Sequence, residues 1–384
     1  MNVFITAVSA FLPGNPVGND DLDLYLGEAT GQSAKTRRII LARNGIQQRH
    51  YAIAPLSGNI TYTNAQLAAE AIRQLTPNCL EKLASIECLC CGTSSPDQIM
   101  PGHGSMVHGE LNCGPCEVIS TAGICLTGIT ALKYGAMSIA AGLHKNAVAC
   151  GSEAASSFLR SSFFTAMGGK ESSAEATLNR PAFSFEAEFL RWMLSDGAGA
   201  VYMQPKPNSE ALSLRIDWID IVSHAHRLDT CMYAGAVKQK DGNLKGWREC
   251  AVQNGLEQQG IMTIKQDAGL LNQEIISVIV NHSLPPVIQK YSLTPDMVDW
   301  FLPHYSSDFF RVPLMQQMEQ AGFAIPESRW FTNLPTKGNT GSASFYIMLE
   351  ELFSSNRLQK GQRILGMIPE SGRFSVGWVL MTVV

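Results

Sequence analysis

Three residues far apart in the chain carry the side chains that thioester chemistry needs. Cys125 sits in STAGICLTG, His304 in WFLPHYSS and Asn339 in TKGNTGSAS. A thiolate is a good nucleophile and a good leaving group, so an acyl chain can be loaded onto it and passed on. An imidazole and a carboxamide can donate hydrogen bonds to a thioester oxygen as negative charge develops there. Each such preorganised donor is worth about 3 kcal/mol. Taken singly, each residue has an ordinary structural explanation. Cys125 would serve as a small buried hydrophobe, His304 as a satisfied rim histidine and Asn339 as a turn residue that tolerates positive φ. Their settings set them apart. Each lies where strand-like sequence gives way to helix-like sequence, and free backbone donors gather there. For Cys125, the start of a helix should lower the thiol pKa and favour the thiolate.

The elements that must position these residues alternate along the chain. Strands are predicted over 3–12, 86–92, 118–123, 146–151 and 198–203, then over 212–222, 299–303, 364–367 and 377–383. Helices are predicted over 65–75, 126–141, 272–291, 307–321 and 342–354. This alternation predicts an α/β fold with buried sheets. The polar segment QPKPNSE at 204–210 carries two prolines and marks the expected boundary between halves 1–205 and 206–384. The Ser-, Phe- and Ala-rich stretch 154–195 is less regular and reads as a lid or pocket-forming insertion.

Composition narrows the function classes. The 384 residues are 45% hydrophobic and 16% charged, which specifies a folded chain rather than disorder. Formal net charge is −4, and no Lys/Arg-rich run offers a nucleic-acid surface. The N-terminal MNVFITAV lacks the basic start of a signal peptide, and no run of about 18 apolar residues spans a bilayer. The expectation is a cytoplasmic protein with no membrane partner. Ten cysteines without regular spacing are expected to be reduced and mostly buried. Cys113-Gly-Pro-Cys116 has redox-motif spacing, but it runs into strand-like Glu117–Thr121 rather than a helix, which argues against a redox pair. Cys90 and Cys91 should point to opposite faces of one strand. His224 and His226 have no cysteine or acid at ligand spacing, so no metal site is expected. His103 and His108 lie in a Gly-rich loop and are candidates to line the pocket.

The motifs and their order resemble the β-ketoacyl-ACP synthase III family of the thiolase superfamily, over nearly the whole chain. ARNGIQQRHYA (42–52), SDGAGA (195–200), GNTGSAS (338–344) and SGRFSVGWVLM (371–381) each look like a family string, in the family's order around Cys125 and His304. The resemblance implies a thiolase fold, two similar α/β halves in an αβαβα stack, and a homodimer. It implies that Cys125 is acylated, that His304 and Asn339 donate to the second thioester, and that the Cys125 and Gly372 N–H groups form an oxyanion hole. No bound cofactor is implied; substrates ride on the phosphopantetheine of an acyl carrier protein or on coenzyme A.

Within the family, RRIILARNGIQQRHYAI and TYTNAQLAAEAI are most similar to the ketosynthase/cyclases of dialkylresorcinol and bacterial stilbene pathways. That branch implies joining a β-ketoacyl and an α,β-unsaturated acyl thioester into a cyclohexane-1,3-dione. Departures from the common pattern bear on substrate. Ile39 stands where many members stack a Trp on coenzyme A, which favours carrier-bound substrates, with Arg37, Arg38 and Arg43 as contacts to phosphopantetheine or an acidic carrier. Tyr305, Ser306 and Ser307 replace Q-A-N after the histidine. Glu370, Ser371 and Arg373 stand where glycines are usual. Glu153 and Glu370 are candidates for an additional acid or base. Three other readings remain: initiation of fatty-acid or polyketide chains, a non-catalytic ketosynthase partner, and acyl transfer to oxygen.

Overall fold

The computed structural model describes residues 2–28, 34–75, 83–163, 189–254 and 261–384. Nine strands form the main sheet. In the first half they are β1 (Phe4–Phe11), β2 (Cys88–Thr93), β3 (Glu117–Ala122), β4 (Ala147–Glu153) and β5 (Gly197–Gln204). In the second half they are β6 (Leu214–Ser223), β7 (Trp300–Pro303), β8 (Arg363–Glu370) and β9 (Ser375–Val383). Across the sheet they run β7, β8, β9, β6, β1, β5, β4, β2, β3.

This order contains a repeat. In the first half β3, β2 and β4 are parallel, and β5 lies antiparallel between β4 and β1. In the second half β7 and β8 are parallel, and β9 lies antiparallel between β8 and β6. The place of a third strand beside β7 is taken by a one-residue parallel bridge, Phe301 to Trp330. Within the sheet, β1 and β6 pair at Phe4 with Arg215 and Ile5 with Leu214.

Strand side chains alternate in direction, and this alternation builds the layers. Cys88 and Cys90 belong to a central core, whereas Leu89 and Cys91 face an outer one with Leu67, Ile72 and Val107. On β8, Ile364 and Ile368 face the central core, while Leu365 and Met367 face a second outer core with Leu271, Val278 and Leu314. The central core holds two helices, Thr127–Ala140 from the first half and Ser344–Ser354 from the second. The result is helices, sheet, paired central helices, sheet, helices, which is the αβαβα stack of the thiolase fold. The central helices meet at glycine. A Cβ on Gly128 or on Gly151 would lie 2.3 Å from the Ser342 carbonyl oxygen. That contact is closed by the Tyr346 hydroxyl, which donates to the Gly128 carbonyl at 2.7 Å.

Several expectations need adjustment. The helix predicted over 272–291 is two α-helices, Ala268–Ser277 and Leu284–Tyr291, joined by a wide turn at Val278–Ser283. Pro285 and Pro286 lack the N–H groups an unbroken helix would require there. The predicted 307–321 helix opens with a 3₁₀ turn at Asp308–Phe310, with Ser307 Oγ accepting from the Phe309 N–H. Of the predicted insertion at 154–195, residues 164–188 lie outside the described residues. Among the described residues no helix is long and apolar enough to cross a membrane.

Candidate active site

Repetition of the half-unit places the site. Cys125 lies between the end of β3 and the first central helix; Asn339 lies just before the second. His304 directly follows β7. All three face the C-terminal ends of parallel strands, where connecting loops form crevices. The Asn339 backbone is held by two bonds, its N–H to the Met193 carbonyl at 3.0 Å and its carbonyl to the Ser195 N–H at 2.9 Å. Its side-chain oxygen accepts from the Gly341 N–H at 3.0 Å, which turns the amide NH₂ toward the cavity as a donor. The His304 N–H donates to the Met367 carbonyl at 2.8 Å, locking β7 to β8 just above the imidazole.

Two cavities meet at Cys125. The first, of about 440 Å³, contains Cys125 and His304 and is otherwise lined largely by apolar residues such as Leu271, Ile275, Ile279 and Leu314. The second, of about 510 Å³, contains Cys125 and Asn339 with Ser94, Ser95, Glu153 and Gln266. Ser306 and Ser371 border both. A third, outer cavity shares Leu271 and Phe310 with the apolar one and reaches Ile39 and Arg43 on the helix Ala34–Asn44. Cys125 therefore borders both the cavity of His304 and the cavity of Asn339.

The electrostatics of the thiol reverse the expectation from sequence. Cys125 was expected to be lowered by the helix N-terminus. Instead burial pushes it above the ordinary thiol range, and the carboxyls of Glu370 and Glu153 push it further. The physical reason is visible. Glu370 Oε2 accepts from the N–H groups of Ile124 at 3.0 Å and Leu126 at 3.3 Å, taking the donors on either side of the nucleophile. Burial raises the pKa of Glu370 as well, with those two N–H bonds opposing it.

Glu153 is the counterpart of Glu370. Each ends the strand that borders the antiparallel strand of its half, β4 and β8, and each reaches across to the opposite central helix. Glu153 Oε1 accepts from Ser342 N–H at 3.1 Å and Ser94 N–H at 3.1 Å, while Oε2 takes the hydroxyls of Ser94 and Ser95 at 2.7 Å. Desolvation raises its pKa against those four donors. His304 is pushed down to about 4 by burial, so it is a neutral hydrogen-bond donor at ordinary pH. Gly372 is buried beside the nucleophile loop, where a Cβ would lie 2.9 Å from Ile124 Cδ1 and 3.3 Å from Glu370 Oε1.

The remaining candidates separate. Arg37 pairs with Asp23 at 2.5 Å and donates to the Asn19 carbonyl. Arg38 and Arg43 are exposed, and only Arg43 borders the outer cavity. His103 does not line a catalytic cavity: it is buried with Nε2 2.9 Å from Ser152 Oγ. His108 is also away from the pocket, because its helix ends beside Cys113 and Cys116. Sequence reasoning missed Ser94, Ser95 and Gln266. The SSP string after a buried strand was the available signal for the serines. Gln266, whose Nε2 donates to Ser371 Oγ at 3.0 Å, had none.

Comparison with known proteins bears on the fold and the family. Residues 288–378 match the family model for the 3-oxoacyl-[acyl-carrier-protein] synthase III C terminal. The β-ketoacyl-[acyl-carrier-protein] synthase III of Koribacter versatilis is 22% identical over 367 residues, covering 94% of this chain and 92% of that protein. Among solved structures, OleA of Xanthomonas campestris with bound lauric acid and lauroyl-CoA superposes with a TM-score of 0.74 at 18% identity, covering 100% of this chain and 99% of that one. The tetronic acid condensing enzyme AbyA1 gives 0.73 at 18% identity, with 99% of each chain covered. These structures share the fold.

Proposed function

This chain belongs to the β-ketoacyl-ACP synthase III family of condensing enzymes, which form carbon–carbon bonds between acyl groups, and from that premise we propose a ketosynthase/cyclase. In this reading it joins a β-ketoacyl and an α,β-unsaturated acyl thioester into a cyclohexane-1,3-dione. The observation that carries the reading is the position of Cys125 between an apolar cavity and a second one, itself mostly apolar, that holds the polar groups of Glu153, Ser94 and Ser95. A simple two-carbon extension needs no second carboxylate. Ring closure requires a second carbanion, and Glu153 stands in the second cavity to accept or return its proton.

The steps follow from the residues present. The Cys125 thiolate attacks the thioester carbon of the unsaturated acyl group, and the carrier thiol leaves with a proton. The Cys125 and Gly372 N–H groups are the oxyanion donors for that tetrahedral oxygen. The β-ketoacyl partner then loses a proton from carbon. Its enolate oxygen is met by the neutral His304 imidazole and the Asn339 NH₂. Attack on the acyl-cysteine forms one carbon–carbon bond and releases the Cys125 thiolate. Conjugate addition to the double bond forms the other and closes the ring, the resulting enolate takes up a proton, and the dione stays bound through its carboxyl thioester to the carrier that brought the β-ketoacyl group.

The apolar cavity suits an alkyl or aryl arm, in keeping with a fold neighbour that was crystallised with a fatty acid and its thioester. The outer cavity, with Arg43 at its rim, suits a phosphopantetheine arm, and Ile39 in place of a stacking Trp favours an acyl carrier protein over coenzyme A. Homodimerisation belongs to the same proposal.

The test is product analysis with paired β-ketoacyl and α,β-unsaturated acyl carrier substrates. A carrier-bound dione whose acyl part has the summed mass of the two acyl groups less one hydrogen, absent with Cys125→Ala, is expected. Robust turnover of acetyl and malonyl thioesters without a dione would instead favour chain initiation, the activity named for the sequence relative.

A further inference from the structure

The Cys-Gly-Pro-Cys string gains a third member in the fold. The helix His103–Leu111 carries His108 in its last turn. Asn112 then takes a left-handed conformation with φ 51°, ending the helix and turning the chain back. Cys113 and Cys116 follow immediately, and the ligand atoms of His108, Cys113 and Cys116 all lie within 4.8 Å of one another. We propose that these three side chains bind a thiophilic divalent cation of the zinc type, at a site separate from the catalytic cavity. The sequence expectation of no metal site is thereby set aside. His108 had been assigned to the pocket, and only the helix end and left-handed turn bring it to the cysteines.

Four features match what such a site requires. A Cys-x₂-Cys loop is a recurring bite for tetrahedral zinc, and a histidine is a common further ligand. His108 Nε2 donates to the Gly114 carbonyl at 3.0 Å, which fixes the ring and leaves the Nδ1 lone pair for a metal. The loop is preformed: a Cβ at Gly114 would sit 3.0 Å from the Ala84 carbonyl oxygen, so the turn between the cysteines is packed against its neighbour. All three ligands are half-buried, shielded yet reachable from solvent. The fourth position is left to a solvent-derived ligand.

The same loop is poorly built for dithiol redox chemistry. A redox pair lowers the pKa of its attacking thiol. Here burial pushes Cys113 up and pushes Cys116 up to about 11. Cysteines ligate a cation as thiolates, so cation binding releases protons and strengthens as pH rises. The site lies at the opposite end of β3 from Cys125, six residues or roughly 20 Å along the strand. It therefore does not depend on the catalytic reading.

Cobalt(II) titration of the metal-free protein tests the proposal. One equivalent should produce thiolate-to-cobalt charge-transfer absorption that zinc abolishes. Cys125→Ala should retain the signal, which separates this site from the catalytic thiol. His108→Gln should bind at least about tenfold more weakly, and a Cys113→Ser, Cys116→Ser double variant should lose the signal while still accepting an acyl group at Cys125. An unchanged signal in the double variant would overturn the proposal. So would a wild-type protein that gives no charge-transfer band after reduction. Acyl loading doubles as the folding control, and His108→Gln carries the test if the double variant does not fold.

Discussion

Glu370 shows why the candidate catalytic residues are easier to find than their electrostatics. Cys125, His304 and Asn339 are legible because each sits in a short string with a recognisable junction of strand and helix. Glu370 acts on Cys125 from 245 positions away, through the N–H groups of Ile124 and Leu126, and no local string announces that contact. Its effect is testable. Glu370→Gln keeps an acceptor oxygen but removes a charge that raises the thiol pKa. The pH profile for alkylation of Cys125 by iodoacetamide should move to lower pH. A shift of one unit gives about a tenfold faster reaction at pH 8. A superimposable profile would show that Glu370 has no electrostatic hold on the thiol.

Buried histidines give a second prediction at this scale. His304 and His103 are each pushed down to about 4 by burial, against 6.5 when unperturbed. The sign follows from linkage. Above pH 6.5 both folded and unfolded chains hold them neutral, and their contribution is fully present. As pH falls from 6.5 toward 4, only the unfolded chain takes up protons, and stability is lost. Each site contributes on the order of 3 kcal/mol to that loss. Melting temperature followed from pH 7 to 4.5 should fall steeply in the wild type and less in His103→Gln. Equal slopes would contradict the assignment.

At the scale of elements, sequence periodicity located strands and helices but not how closely they pack. The predicted strands at 86–92 and 146–151 match β2 and β4 within a few residues, because continuous apolar runs mark strands buried on both faces. The helix 272–291 was drawn too simply, since periodicity continues across a turn that the two prolines interrupt. The central helix pair was invisible as a pair. Its contact depends on Gly128 and Gly151 facing the Ser342 carbonyl, three segments with no sequence proximity.

Gly128→Ala tests that contact. The new Cβ would meet the Ser342 oxygen at 2.3 Å and Tyr346 Cε2 at 2.9 Å, both held in the core. Overpacking of this kind costs about 1–3 kcal/mol. Because Cys125 lies at the start of the same helix, acyl loading should fall along with stability. Gly109→Ala is the control. It sits on the helix His103–Leu111 with nothing within 4 Å of its Cβ, and should be neutral or stabilising by about 0.5–1 kcal/mol. Chemical denaturation of both variants decides the matter; equal stabilities would refute close packing at the helix pair.

At the scale of the whole molecule, the two-part strand order accounts for a site with two arms. Apart from Cys125, the apolar cavity is lined by second-half residues, whereas the second cavity draws on both halves. Cys125 from one half thus faces an apolar space built by the other. This division was not legible in the sequence, which placed the catalytic residues but not the walls around them. It predicts that chain-length selection and chemistry can be separated. Ile276 borders the apolar cavity and is only part-buried, so Ile276→Trp can fill that space without replacing a fully buried core side chain. Intact-protein mass spectrometry should then show loading of a long alkyl thioester at Cys125 reduced at least about tenfold, the loss expected from displacing two buried methylenes. Acetyl loading should be unchanged. Glu153→Gln should do the converse, loading both acyl groups at least as fast as the wild type while losing the ring-closed product. If Ile276→Trp depresses acetyl and long-chain loading equally, the apolar cavity does not hold the loaded arm, and the acyl group must lie on the Asn339 side of Cys125.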